Sequence, residues 1–83
     1  MIRFTNNHQQ LELISIHHTD INNPNLNTAI VRRLKADGTT IDYVVVRNLN
    51  LNLKDNEGDW GHAVQYCIPS LTDATKVFAD CIS

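Results

Sequence analysis

Residues 28–47 read TAIVRRLKADGTTIDYVVVR and contain the strongest fold signal in the chain. In this stretch, Asp37-Gly38 separates two runs rich in β-branched residues. An Asp-Gly pair readily adopts the positive φ angles of a two-residue type I′ turn, which joins adjacent antiparallel strands. The stretch therefore predicts a β-hairpin with Asp37 and Gly38 as its loop.

Counting outward from that loop gives a register in which the facing side chains suit each other. The predicted pairs are Leu34 with Ile41, Arg33 with Asp42, Arg32 with Tyr43, Val31 with Val44, and Ile30 with Val45. Apolar pairs and ion pairs each stabilise a sheet by up to about 1 kcal/mol. The facing pairs therefore support the same hairpin as the loop.

Residues 24–36 could instead form a helix. Asn23 and Pro24 would begin it and Gly38 would end it, in keeping with the usual capping preferences. Its apolar stripe would consist of Leu26, Ile30 and Leu34. We favour the hairpin, because only the strand gives Val31 an apolar cross-strand partner.

The length and composition predict one small globular domain over residues 1–83. Of the 83 residues, 42% are hydrophobic and 19% are charged, which argues against disorder. A domain of this size buries only about 60% of its unfolded surface, so we expect one sheet and one helix. The formal net charge of −2 argues against a strong generic nucleic-acid binder.

The sequence predicts a cytoplasmic protein. It has no apolar run of membrane-spanning length, and its first residues lack the apolar segment of a signal peptide. Cys67 ends a predicted strand and Cys81 lies near the end of the helix that follows, about 16 Å further along. A disulfide cannot bridge that displacement, so we expect two buried, unpaired thiols, which fit a reducing compartment.

Residues 2–5 and 11–16 predict two further strands, joined by a turn at residues 6–8. In the second strand, Leu11 and Leu13 would lie on one face, and Ile14 and Ile16 would lie on the other. Such a pattern suits a central strand with both faces covered. The asparagine-rich residues 19–27 predict a loop.

Residues 48–53 alternate asparagine and leucine, a period of two that places the leucines on one face of a strand. The polar residues 54–59 predict a turn. Residues 60–68 predict a strand with its large side chains on one face, namely Trp60, Val64, Tyr66 and Ile68. The two strands would form a second hairpin.

The C-terminal residues predict an amphipathic helix. Pro69 ends the preceding strand, and Ser70 and Asp73 form a variant of the capping box. The apolar face would consist of Leu71, Ala74, Val77, Phe78, Cys81 and Ile82. The predicted fold is therefore α+β, a small antiparallel sheet of about 4–6 strands with one C-terminal amphipathic helix packed on one face.

One helix cannot cover both faces of such a sheet. The predicted register places three valines of the hairpin opposite the face that carries Ile30 and Val45. An exposed apolar face suggests a docking surface. We therefore expect a non-enzymatic module that binds another protein, or a second copy of itself, through Val31, Arg33, Lys35, Val44, Val46 and Arg47.

Nucleic-acid binding is the alternative function. Arg32, Tyr43 and Arg47 share one side of the predicted hairpin and combine positive charge with an aromatic ring. This combination suits contact with phosphates and bases. The rest of the chain is acidic, and it contains no recognised nucleic-acid-binding motif. We therefore expect a nucleic-acid partner less than a protein partner.

A metal-dependent enzyme is the third alternative, and the sequence gives it little support. Neighbouring strand residues point to opposite faces, so His17 and His18 cannot chelate one ion. Residues 55–59 resemble the start of a calcium loop but lack its final glutamate. The chain has no glycine-rich phosphate loop and no nucleophile motif. We expect no metal, no cofactor and no enzymatic activity.

The C-terminal half resembles a known class of small proteins. Its order of elements is marked by Asp37-Gly38, Asp59-Trp60-Gly61, Tyr66, Leu71, Ala74 and Phe78. This strand-then-helix ending resembles short single-domain proteins carried by phages and other mobile elements. Such proteins are often non-enzymatic inhibitors of host defence, including anti-CRISPR proteins, or accessory factors. The resemblance implies a partner in a host defence or regulatory complex, and it assigns no functional residue.

Overall fold

The computed structural model describes residues 2–18, 22, 27–52 and 54–82. These residues form one mixed sheet of seven strands and one helix. The elements are β1 Arg3–Asn6, β2 Gln9–His18, β3 Asn27–Leu34, β4 Thr40–Arg47, β5 Asn50–Asn52, β6 Glu57–Asp59, β7 His62–Ile68 and α1 Leu71–Ile82. The predicted α+β class with a C-terminal helix is confirmed. The predicted strand number is too low, and β1 pairs with β6 in parallel.

The β3–β4 hairpin has the predicted register over most of its length. Four predicted pairs are present, namely Arg33 with Asp42, Arg32 with Tyr43, Val31 with Val44, and Ile30 with Val45. Because β3 spans Asn27–Leu34, the alternative helix is wrong for these residues. Residues 23–26, where that helix would begin, lie outside the described part of the chain.

The loop of this hairpin is not the predicted type I′ turn. The Gly38 N–H donates to the Lys35 carbonyl at 2.9 Å, and the Lys35 N–H donates to the Thr39 carbonyl at 2.8 Å. Gly38 has a φ of 87°, whereas Asp37 is not among the residues with positive φ. This is a three-residue loop with a left-handed glycine. Hydrogen bonds from the Thr39 hydroxyl and N–H lower the pKa of Asp37.

One extra residue in β4 offsets the longer loop. Leu34 faces Thr40 rather than the predicted Ile41, and Ile41 forms a β-bulge. Because the bulge adds one residue to β4, Arg33 and Asp42 still face each other. The bulged Ile41 is turned out of the sheet and is exposed.

The type I′ geometry occurs in the β1–β2 hairpin instead. Asn6 faces Gln9, and the two residues between them have positive φ angles, 50° at Asn7 and 67° at His8. Two consecutive left-handed residues define this turn, and asparagine tolerates the conformation better than most residues do. The predicted turn at residues 6–8 is therefore confirmed.

Strand β2 is central, as predicted, with β1 and β3 on its two sides. A bulge between Leu13 and Ser15 shifts its alternation by one residue. Consequently Leu11, Leu13 and Ile16 all pack in one core, and Ile14 packs in the other. The sequence pattern alone placed Ile16 on the wrong face, because it could not show the bulge.

The sheet curls because two short connections join strands that are distant in its order. The order is β5-β6-β1-β2-β3-β4-β7, so a flat sheet would separate β4 from β5 by about 24 Å. However, β5 begins at Asn50 and β4 ends at Arg47, a stretch that spans at most about 11 Å. The connection from β6 to β7 is equally short. The sheet must therefore wrap around one of its own faces.

The wrapped face holds the inner core. Its buried members are Phe4, Leu11, Ala29, Val31, Val44, Val46 and Leu49, and Leu13, Ile16, Leu51, Trp60 and Ala63 pack against them. Strand β6 approaches so closely that a Cβ at Gly58 would lie 2.4 Å from the Phe4 ring. Glycine is needed here because no side chain fits between β6 and that ring.

Asn27, at the start of β3, forms hydrogen bonds with the connection that follows β4. The Leu49 N–H donates to the Asn27 carbonyl at 3.2 Å, and the Asn27 side-chain amide donates to the Leu49 carbonyl at 3.1 Å. Asn27 is buried, so these bonds are shielded from water. They hold the chain where it turns back toward β5.

Helix α1 covers the other face, over β3, β4 and β7. It spans Leu71–Ile82 as predicted, and the Asp73 N–H donates to the Ser70 hydroxyl at 3.2 Å. It closes the outer core, whose buried members are Ile30, Val45, Ile68, Ala74 and Phe78. Leu71 is exposed, so its predicted burial is wrong, because the outer core begins to contact the helix only at Ala74, three residues later.

The predicted second hairpin is wrong. Residues 57–59, predicted as part of a turn, form β6 and pair with β5. Strand β7 pairs with β4 instead. The alternation of β5 is confirmed, since Leu51 packs against the inner core while Asn50 and Asn52 are exposed. Leu53 lies outside the described residues.

Candidate functional site

The predicted apolar contact patch is inside the molecule. Val31, Val44 and Val46 each have 0% of their surface exposed and belong to the inner core. The prediction that they are exposed is wrong, because the curled sheet covers its second face with its own β5–β6 hairpin. That face is therefore covered within the chain, by strands and not by a second helix among the described residues.

Arg33 and Asp42 form the predicted cross-strand ion pair. Arg33 Nε lies 2.6 Å from Asp42 Oδ1, and Arg33 Nη2 lies 2.5 Å from Asp42 Oδ2. The hydrogen bonds from Arg33 lower the pKa of Asp42, to which the nearby Cys67 thiol also contributes, and the same pair raises the pKa of Arg33. Lys35, at the end of this hairpin, is exposed.

Strand β7 is an edge strand interrupted by two bulges. Val64 is an extra residue opposite β4, and residues 66–67 together oppose the single residue Val44. Cys67 accordingly has a φ of 56°. Bulges turn side chains outward and discourage another strand from pairing with the edge.

The bulges explain two corrections to the predicted β7. Tyr66 is 58% exposed, although its alternation with Val64 and Ile68 predicted burial. Cys67 and Cys81 are both free, as predicted, but Cys67 is exposed rather than buried. Trp60 packs against the inner core, on the face opposite Val64.

Three exposed apolar side chains flank one cross-strand pair between β4 and the edge strand β7. Of the large hydrophobic side chains that the structure describes as exposed, three lie near the cross-strand pair Tyr43 and Ile68, and these are Ile41, Tyr66 and Leu71. Each is within three residues of that pair in sequence. We call these three residues the corner surface. Asp42, the partner of Arg33, follows Ile41 in the sequence.

The predicted nucleic-acid residues do not form one patch. Arg32 Nη2 lies 2.5 Å from Glu12 Oε1, a buried carboxylate that Arg3 Nε also contacts at 3.2 Å. Tyr43 is half-buried and packs against the outer core. Arg47 is on the same face, but the buried Val45 lies between it and Tyr43. Of the three, Arg47 alone is an exposed cation without an ion pair to the residues that the structure describes.

The contact with Glu12 leaves a hydrogen-bond donor of Arg32 without a well-aligned partner among the described residues. The Arg32 Nε and the Glu12 Oε1 are buried and lack a well-aligned hydrogen-bond partner among the described residues. The close approach of Nη2 is therefore an ion pair with poor hydrogen-bond alignment. Because Arg32 already neutralises a buried carboxylate, using it to bind phosphate would leave Glu12 less compensated.

A polar groove of 750 Å³ lies between the β1–β2 turn and the β5–β6 hairpin. Amide, hydroxyl and carboxylate side chains line it, including Asn6, Gln10, Asn50, Asn52, Glu57 and Asp59. Among the described residues, no three His, Cys, Asp or Glu side chains are grouped so that they could hold a metal ion.

Sequence reasoning missed the corner surface and the buried Glu12. The sequence offered no signal for the bulges that expose Ile41 and Tyr66, because each depends on how two strands pair. Glu12 stands between leucines in a strand, and that position was the available signal for a buried carboxylate. Its two arginine partners come from neighbouring strands.

Comparisons of the chain with protein-family models, curated proteins and solved structures found no match. No helix in the described part of the chain is long and apolar enough to cross a membrane. Any functional assignment must therefore come from the chain's own surfaces.

Proposed function

We propose that this chain is a non-enzymatic module that binds another protein through the corner surface. The observation that carries the proposal is the exposure of Ile41, Tyr66 and Leu71, each within three residues of the cross-strand pair Tyr43 and Ile68. Tyrosine and aliphatic side chains beside an arginine are typical of the residues that dominate binding energy at protein interfaces. Arg33, which Asp42 holds in place, pairs with the residue that follows Ile41 and supplies an arginine.

The bulges in β7 favour binding through side chains. An uninterrupted edge strand could accept a partner strand through its backbone, but the two bulges interrupt its hydrogen-bond pattern. They also turn Tyr66 outward, where its ring can enter a pocket on a partner. The partner therefore needs an apolar pocket rather than a free strand.

The proposed mode of action is occupation of a partner's surface in the cytoplasm. Small inhibitors from mobile elements, the class that the C-terminal half resembles, act in this way on host defence complexes. A second copy of the chain is the alternative occupant of the corner surface. Dimerisation across that surface would bury the same three side chains.

The test compares a corner variant with a matched variant elsewhere. Tyr66→Ala combined with Leu71→Asp removes two corner side chains, and aspartate is well tolerated in the first turn of a helix. Ile2→Asp places the same charge at the one other large hydrophobic residue that the structure describes as exposed. All three proteins are immobilised and exposed to lysate of the source cells, and each captured protein is purified and titrated.

We expect wild type and Ile2→Asp to bind the captured protein equally. The corner variant should bind more weakly by about 2 kcal/mol or more, the usual cost of truncating a residue that dominates an interface. Light scattering across a dilution series identifies a homodimer, which the corner variant should abolish. Equal binding by all three proteins, together with an unchanged monomer, would contradict the proposal.

A further inference from the structure

Arg47 differs from the other arginines of the chain. Three arginines contact buried carboxylates of the sheet, and these are Arg3, Arg32 and Arg33. Arg47 is exposed and makes no ion pair or hydrogen bond with the residues that the structure describes. Its guanidinium therefore has no internal counterion in this part of the chain.

The pairing of four strands places Arg47 in a row of side chains. His17 faces Thr28, Thr28 faces Arg47, and Arg47 faces His62. Directly paired residues project from the same face of a sheet, so all four side chains share one face. His17, Arg47 and His62 are exposed, while Thr28 is buried between them. We call these four residues the cationic row.

A bound anion would relieve charge repulsion within the cationic row. Arg47 and His62 lie directly opposite each other, and two cations in that arrangement repel when the imidazole is protonated. The next row of the same face contains Ser15, Ile30 and Val45, none of which carries a charge. This neighbouring row of described strand residues therefore offers no compensating carboxylate.

We infer that the cationic row is a binding site for a ligand that carries phosphate groups. The planar guanidinium of Arg47 can donate two parallel hydrogen bonds to phosphate oxygens, and the neighbouring imidazoles can donate one each. The row extends over about 14 Å from His17 to His62, which leaves room for more than one phosphate. This site is on a different part of the sheet from the corner surface and does not depend on the proposed function.

The site can be tested through its own histidines. The ring signals of His17 and His62 are followed by NMR while inorganic phosphate, or a short single-stranded oligonucleotide, is added to the full chain. His8 lies in the β1–β2 turn and serves as an internal control. We expect saturable shifts at His17 and His62 and none at His8.

Two variants distinguish binding at the cationic row from non-specific attraction to positive charge. Arg47→Gln removes the central cation, and Lys76→Gln removes one positive charge from the exposed side of α1. Binding should weaken about tenfold in Arg47→Gln, the loss of one charge-assisted phosphate contact, and should not change in Lys76→Gln. Arg47→Lys should retain part of the affinity because it keeps the charge but not the planar fork.

The two probes distinguish the source of the phosphate. Tighter binding of the oligonucleotide, falling steeply with salt, identifies a nucleic-acid strand as the ligand. Equal or stronger binding of inorganic phosphate identifies a small phosphorylated ligand. The inference fails if neither probe shifts His17 and His62, or if Arg47→Gln binds like Lys76→Gln.

Discussion

The two cores of this domain are built in different ways. The outer core joins the sheet to the helix that follows β7 directly along the chain, and its pattern is visible in the sequence. The inner core depends on the return of the β5–β6 hairpin across the sheet. Its valines are fully buried, whereas Phe78 of the outer core retains 9% exposure. The comparison shows that a short connection between distant strands can replace a second covering layer.

The largest effect should follow from placing a charge in the inner core. Val44→Asp buries a carboxylate without a partner, which costs several kcal/mol, an amount comparable with the total stability of about 5–15 kcal/mol of a small domain. We expect circular dichroism to show no cooperative unfolding transition for this variant. The same substitution at Ile41, an exposed residue of the same strand, should change the stability by no more than about 0.5 kcal/mol. Equal stability of the two variants would contradict the enclosure of Val44 within one chain.

A smaller loss of stability should follow from creating a cavity in the outer core. Phe78→Ala removes the ring that α1 packs against the sheet and should lower the free energy of unfolding by about 3–5 kcal/mol. Urea titration measures the loss, with Thr72→Ala on the exposed side of α1 as the control. A loss no larger than that of Thr72→Ala would contradict the packing of Phe78 in the outer core.

The smallest effect should come from the Arg33–Asp42 ion pair. Asp42→Asn should cost about 1 kcal/mol at neutral pH, since Arg33 is 31% exposed and water solvates it in part. Because Arg33 lowers the pKa of Asp42 in the folded state, the pair stabilises the fold above the ordinary aspartate pKa of about 4. That contribution is lost as the pH falls below this value toward the lowered pKa.

Acid titration of stability measures this dependence. The difference between wild type and Asp42→Asn should shrink as the pH falls below about 4, because Asp42 becomes protonated in both folded and unfolded chains. Asp59→Asn removes an exposed carboxylate of β6 and serves as the charge-matched control. A difference that stays constant down to full protonation would show that the ion pair contributes nothing.

The parts of the fold that depend on residues close together in the sequence could be predicted. The Arg33–Asp42 register and the Ser70 cap follow from local pairing and capping chemistry. The parallel contact of β1 with β6 could not, since it joins Thr5 to Glu57, which are distant in the sequence. The exposure of Tyr66 could not be predicted either, because a bulge reverses the alternation that the sequence suggests.

The curled sheet can be tested most directly at Gly58. Its position beside the Phe4 ring brings β6 against β1 and closes the inner core. A filtered NOE experiment on a mixture of labelled and unlabelled chains separates contacts within one chain from contacts between chains. We predict strong NOEs from the Gly58 Hα atoms to the Phe4 ring, all within one chain. If these NOEs were absent, or occurred only between labelled and unlabelled chains, the single chain would not enclose its own inner core.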